Sequence, residues 1–140
     1  MVHEVIRQGI RHIVIVDNAS TVTNKDGIQN LKNKFSDIIH IISLDYNGGP
    51  DNGFNQGISV VVKRGYSEFI WLLDDDVLPE KNALQILVKF WDSYKTQNKS
   101  EKLCLVSYRK GWKVFKNAIL RNDPYLPFGP KNSFRSFSFL

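Results

Sequence analysis

Three consecutive carboxylates, Asp74, Asp75 and Asp76, follow directly on the apolar run Phe69 to Leu73. Carboxylates this close repel and raise one another's pKa, so a cation is the natural means of keeping them ionised together. Hard oxygen donors suit Mg²⁺ or Mn²⁺, ions commonly shared with substrate phosphates. On an extended backbone Asp74 and Asp76 face one side and Asp75 the other, which makes Asp74 and Asp76 the expected metal pair. The bland alternative is a solvated acidic turn before a helix starting at Pro79. The position after Trp71-Leu72-Leu73 weighs toward the metal site, because open α/β sheets bind ligands beyond the carboxyl ends of their strands.

A second group is the run Asn47-Gly48-Gly49-Pro50-Asp51-Asn52-Gly53-Phe54-Asn55-Gln56-Gly57. Glycine lets backbone approach a ligand closely, and Asn47, Asn52 and Asn55 bring both donors and acceptors. A helix starting near Phe54 would turn its free N–H groups toward an anion. The run is neither a Walker loop nor a dinucleotide fingerprint, since it lacks Gly-Lys-Ser/Thr and the Gly-x-Gly-x-x-Gly spacing. Alone it reads as a turn. The third group, Asp17-Asn18-Ala19-Ser20-Thr21, also reads alone as a turn, with Ser20 or Thr21 capping the next helix.

The elements that position these groups follow from periodicity. Residues 12–16 and the run Ile38 to Leu44 are β-branched, apolar and ended by turn residues, as in buried strands. Phe69 to Leu73 predicts a third strand and Leu103 to Tyr108 a fourth. Ile28, Leu31 and Phe35 recur at helical spacing. So do Ala83, Leu84, Leu87, Phe90, Trp91 and Tyr94, with Pro79 and Glu80 as a helix start. Residues 58–64 read either way: Val60-Val61-Val62 favours a strand, whereas Gly65 suits a helix C-terminal cap. Strands alternating with helices predict an α/β fold with a mostly parallel sheet flanked by helices. All three polar groups would then gather along one sheet edge.

In order and separation these motifs resemble glycosyltransferase family 2 over roughly residues 5–95. The matching stretches are Ile13 to Thr21, then Asn47-Gly48-Gly49 with Gly53 to Ile58, then Trp71 to Val77 with Pro79. The resemblance is nearest to the rhamnosyl- and galactofuranosyl-transferring branch, where Asp-Asp-Asp stands for Asp-x-Asp. It implies a GT-A nucleotide-diphosphosugar-transferase fold and inverting transfer of a sugar to an acceptor hydroxyl, as in cell-surface polysaccharide or glycan synthesis. It further implies a UDP- or dTDP-sugar donor, a glycan or lipid-linked acceptor and a divalent Mg or Mn ion. Asp17 would contact the base, with Asn18 beside it. Asn47, Gly48, Gly53 and Asn55 would lie along the nucleoside and sugar, with Asp74, Asp75 and the metal-holding Asp76 at the diphosphosugar.

The resemblance also carries departures. The family's first strand, with its Thr-Tyr-Asn-type motif, has no counterpart, and neither has the later segment bearing the catalytic base and the acceptor site. Residues 1–140 therefore read as a partial donor-binding domain. Asp123 is the only acid after Glu101 and nothing around it marks a base, so no catalytic residue is assigned.

Composition bounds the remainder. With 42% hydrophobic and 24% charged residues the chain is an ordinary globular one, and no apolar run reaches the ~20 residues of a membrane span. Met1 to Gly9 has no signal-type apolar core and Cys104 stands alone, which predicts a cytoplasmic setting and a buried structural thiol. The net charge of +5 is uneven: 11 Lys/Arg against 13 Asp/Glu up to Glu101, and eight against one beyond it. The basic end suits either anionic headgroups at the inner membrane face or plain solvation. Nucleic acid is disfavoured by the acidic edge. His3, His12 and His40 share no spacing and read as structural or surface residues. Trp91, Trp112 and the Phe128 to Phe139 cluster suit core packing more than sugar stacking. Two rivals remain: a degenerate, non-catalytic nucleotide-binding fragment, and a sugar-phosphate nucleotidyltransferase. The second would show a basic Gly-rich loop early in the chain, and none is present.

Overall fold

A computed structural model describes residues 1–65, 68–95, 97–98, 105 and 113–123. The described elements run α1 (Val2–Arg7), β1 (Ile13–Asp17), α2 (Val22–Lys34), β2 (Ile39–Ser43), α3 (Gly49–Arg64), α4 (Ala83–Ser93) and α5 (Lys113–Arg121). The chain divides into two compact units, Met1–Ala83 and Leu84–Leu140. The predicted strand at Leu103 to Tyr108, Cys104, Trp112 and the Phe128 to Phe139 cluster lie outside the described residues.

In the first unit β1 and β2 pair in parallel, with Ile13 opposite Ile39 and Asp17 opposite Ser43. The ladder is continued by Ile13 N–H to the Ile38 carbonyl and Leu44 N–H to the Asp17 carbonyl. α2 packs on β2 and α3 on β1. The α3 contact is close because position 57 is a glycine: a Cβ there would lie 3.2 Å from Val16 Cγ2. The continuous apolar runs had predicted fully buried strands. Of the strand residues only Ile39 of β2 and Asp17 of β1 are buried; Val2 and Val5 of α1 and Pro79 are the other buried residues of this unit among those described.

The ambiguity at 58–64 resolves as helix. α3 carries Pro50 in its first turn beside Asp51, ends in Lys63 and Arg64, and stops at Gly65 in the left-handed conformation (φ 60°). Each feature suits a helix end: proline has no N–H to lose, and the charges complement the helix dipole. The local signals at both ends thus outweigh the strand preference of three valines.

The third predicted strand does not form. Phe69 to Leu73 adopts no regular element, and Phe69, Ile70 and Leu72 are exposed. A strand is defined by ladder bonds to a neighbour, and the sheet of the described residues pairs β1 with β2 and does not extend to this apolar run. The helix expected from Pro79 begins instead at Ala83, whose N–H bonds the Glu80 carbonyl. Pro79 itself is buried, and Asn82 just before the helix is left-handed (φ 67°).

Candidate functional site

The carboxyl ends of β1 and β2 lie side by side, so the segments that follow them meet. Asn18, directly after β1, donates from Nδ2 to Asn47 Oδ1 at 2.9 Å and to the Gly49 carbonyl at 3.0 Å. Its Oδ1 accepts from the Gly48 N–H at 3.1 Å. Asn47 Oδ1 also accepts from the Gly49 N–H at 2.9 Å. Two loops 29 residues apart are therefore clasped by two asparagine side chains and two backbone amides.

The helix start expected near Phe54 lies earlier in the chain. α3 begins at Gly49, and the Gly48 and Gly49 amides at its entry already bond asparagine oxygens. Pro50 contributes no N–H. Gly53 and Asn55, expected in a loop, sit within α3, where Asn55 is exposed and Gly53 half-buried. A Cβ at Gly53 would meet nothing within 4 Å, so packing within the chain does not demand glycine there. At Gly48 it does, since a Cβ would fall 2.6 Å from Asn52 Nδ2 and 2.9 Å from Asn52 Cβ. Gly49 has φ +81°, a conformation costly for any residue with a Cβ.

Asp17, the residue before Asn18, is 3% exposed. Its Oδ1 accepts from the Ser20 N–H at 2.9 Å, closing a tight turn through Ala19, which is held left-handed at φ 59°. A left-handed alanine costs about 1–2 kcal/mol; here it lies between the two polar residues of the turn. Burial would push the Asp17 carboxyl up. Hydrogen bonds from the Ser20 side chain and amide, with the charge of Lys25, outweigh it and hold the group below its ordinary value. Asp17 is thus a buried carboxylate that stays ionised. Thr21 occupies the N-cap of α2 but makes no side-chain cap bond.

Asp74, Asp75 and Asp76 are exposed. The backbone there is not extended: Val77 N–H bonds the Asp74 carbonyl at 3.2 Å, placing Asp75 and Asp76 at the centre of a turn. The two-residue alternation that selected Asp74 and Asp76 does not hold across a turn, because it belongs to pleated backbone. Among the described residues no three His, Cys, Asp or Glu side chains are grouped to hold a metal. Magnesium is commonly bound by one or two carboxylates with substrate phosphates, and exposed carboxylates on a turn suit that mode rather than an all-protein cage.

The structure therefore joins Asn18, Asn47, Gly48 and Gly49 in one hydrogen-bonded cluster, next in the chain to the Asp17–Ser20 turn. It sets Gly53 and Asn55 along α3 and Asp74 to Asp76 in a separate turn. Sequence reasoning missed Ser20 as the partner of Asp17 and Gly49 as the second backbone member of the clasp. The Asp-x-x-Ser spacing of a side-chain-to-backbone turn was the available signal. Of the histidines, His3 packs edge-on to Phe35 (centroids 5.2 Å apart), and His40 Nε2 lies 3.3 Å from Arg64 Nη2.

The sequence model of glycosyl transferase family 2 matches residues 1–132. No curated protein and no solved structure matches the chain. The family match reaches well past residue 95, where the motif resemblance ended, and it covers both units. The chain belongs to glycosyl transferase family 2, and its two-stranded parallel sheet flanked by helices is consistent with the GT-A fold of that family.

Proposed function

We propose that this family 2 chain binds a UDP- or dTDP-sugar at the clasped edge of its sheet, and that the enzyme passes the sugar to an acceptor hydroxyl with inversion. The observation that carries the reading is the clasp: Asn18, Asn47, Gly48 and Gly49 tie together two strand-end loops, the first of which follows directly on the buried, ionised Asp17. An ionised carboxylate accepts hydrogen bonds only. It therefore suits the N3–H of uracil or thymine and disfavours cytosine, whose N3 is an acceptor. With one oxygen taken by Ser20, Asp17 keeps lone pairs for such a donor. Gly53, with open space where a Cβ would stand, leaves room on α3 for nucleoside or sugar.

Asp74, Asp75 and Asp76 would hold a divalent Mg or Mn ion together with the diphosphate, Asp74 and Asp76 being the ligands the family motif singles out. When bound, that ion would stabilise charge on the leaving diphosphate. The three aspartates alone support the rhamnosyl- or galactofuranosyl-transferring branch. Acceptors would be glycans or lipid-linked sugars at the cytoplasmic face of a membrane, in surface polysaccharide or glycan synthesis. The family match weighs against a nucleotidyltransferase.

Titration calorimetry of UDP and dTDP, with Mn²⁺ and then with excess chelator, tests the reading on the wild type and Asp76→Ala. Metal-dependent binding that the variant loses is expected. A folded chain that binds neither nucleotide would overturn the donor-site assignment and leave a non-catalytic relative of the family.

A further inference from the structure

α5 is a short helix with a built end: Asn122 is left-handed (φ 48°) and Asp123 N–H bonds the Ala118 carbonyl at 2.9 Å. That six-to-one bond is the Schellman stop. The helix therefore has a defined face. Among the side chains described, the exposed positions Lys113, Lys116, Asn117, Leu120 and Arg121 fall, at 3.6 residues per turn, on one arc of about 140°, while Ala118 lies outside that arc and is buried.

The composition of that arc is unusual for a solvated surface. Its three cations face no acid within the helix, and Leu120 sits between them, one turn from Lys116 and two from Lys113, at 73% exposure. Lys113 stands at the helix N-terminus, where a cation opposes the macrodipole, so helix stability does not account for it. The helix also lies in the stretch beyond Glu101, where eight Lys/Arg meet a single acid. No helix among the described residues is long and apolar enough to cross a membrane. A surface that pairs positive charge with one apolar tip matches a bilayer interface, with anionic headgroups outside and acyl chains just beneath.

We propose that the α5 arc docks on an anionic lipid surface, with Lys113, Lys116 and Arg121 at the headgroups and Leu120 entering the acyl boundary. A nucleic-acid backbone would satisfy the cations but leave Leu120 in water, so lipid is the better match.

Co-sedimentation of the full chain with vesicles, in the absence of nucleotide, tests this separately from donor binding. The wild type should bind mixed phosphatidylglycerol–phosphatidylcholine vesicles and not pure phosphatidylcholine. Lys113→Gln/Lys116→Gln/Arg121→Gln should weaken binding on the order of 100-fold, about fivefold per cation, and Leu120→Asn about tenfold. The control Lys81→Gln/Lys89→Gln/Lys95→Gln removes the same charge from exposed positions elsewhere and should weaken binding far less. Equal losses in the two triple variants, or equal binding to both vesicle types, would overturn the proposal. So would tight binding of single-stranded DNA that the α5 triple variant loses and Leu120→Asn leaves unchanged.

Discussion

Asn18 and Asn47 are bonded side chain to side chain, Nδ2 to Oδ1 at 2.9 Å, although 29 residues separate them. The same Asn18 amide group reaches both the Gly49 carbonyl and the Gly48 N–H. One side chain thus ties the loop after β1 to the entry of α3.

Replacing Asn18 by alanine removes three hydrogen bonds at a half-buried position. Each such bond contributes about 1 kcal/mol net, less where water substitutes, so Asn18→Ala should lower stability by about 1–2 kcal/mol in urea unfolding. UDP binding should weaken with it. Unchanged stability would mean that solvent replaces the clasp without loss.

The glycines should separate by geometry. Gly48→Ala forces a Cβ against Asn52 and Gly49→Ala must hold φ +81°; each should cost about 1–3 kcal/mol. Gly27, inside α2 with open space around it, should gain up to about 1 kcal/mol as alanine. Gly53→Ala should be equally well tolerated in thermal melts and yet impair nucleotide binding. Melting temperatures of the four variants, with calorimetry of the last, check the set.

Asp17 should leave a mark on acid unfolding. Its folded-state pKa lies below the unfolded value of about 3.9, through the Ser20 bonds and Lys25 that outweigh its burial. Its contribution to stability is therefore complete above about pH 4 and is lost as pH falls through the lower folded value. Urea midpoints followed downward from about pH 6 should fall less steeply in Asp17→Asn than in the wild type. Parallel curves would show that the carboxylate is not preferentially ionised in the fold.

His40 works with the opposite charge. Burial first, then Arg64 and Lys32, push its pKa below the ordinary 6.5, and neutral Nε2 can accept from Arg64 Nη2. The folded state thus prefers the neutral ring. That preference supports the fold above about pH 6.5, and the support is lost as pH falls through the depressed folded value. Arg64→Gln should raise the His40 pKa in an NMR titration. A value unmoved by the substitution would remove Arg64 as a cause.

The sequence by itself determined the local elements and the family. The apolar runs at 12–16 and Ile38 to Leu44 and the helical spacing of Ile28 and Leu31 are decided within a few residues, whereas 58–64 read either as strand or as helix ending at Gly65. That is why β1, β2 and α2 lie close to where periodicity places them, while the helix at 58–64 is settled by the structure. The motif order also led to glycosyltransferase family 2. Long-range pairing was not legible. Phe69 to Leu73 has strand composition, but a strand depends on a neighbour's ladder bonds, and Asp74 to Val77 closes a turn that strand alternation could not foresee. The clasp belongs to the same class. Asn18 and Asn47 read separately as turn residues, and only the parallel pairing of β1 with β2, which sets Asp17 beside Ser43, carries the loops that follow within hydrogen-bonding distance.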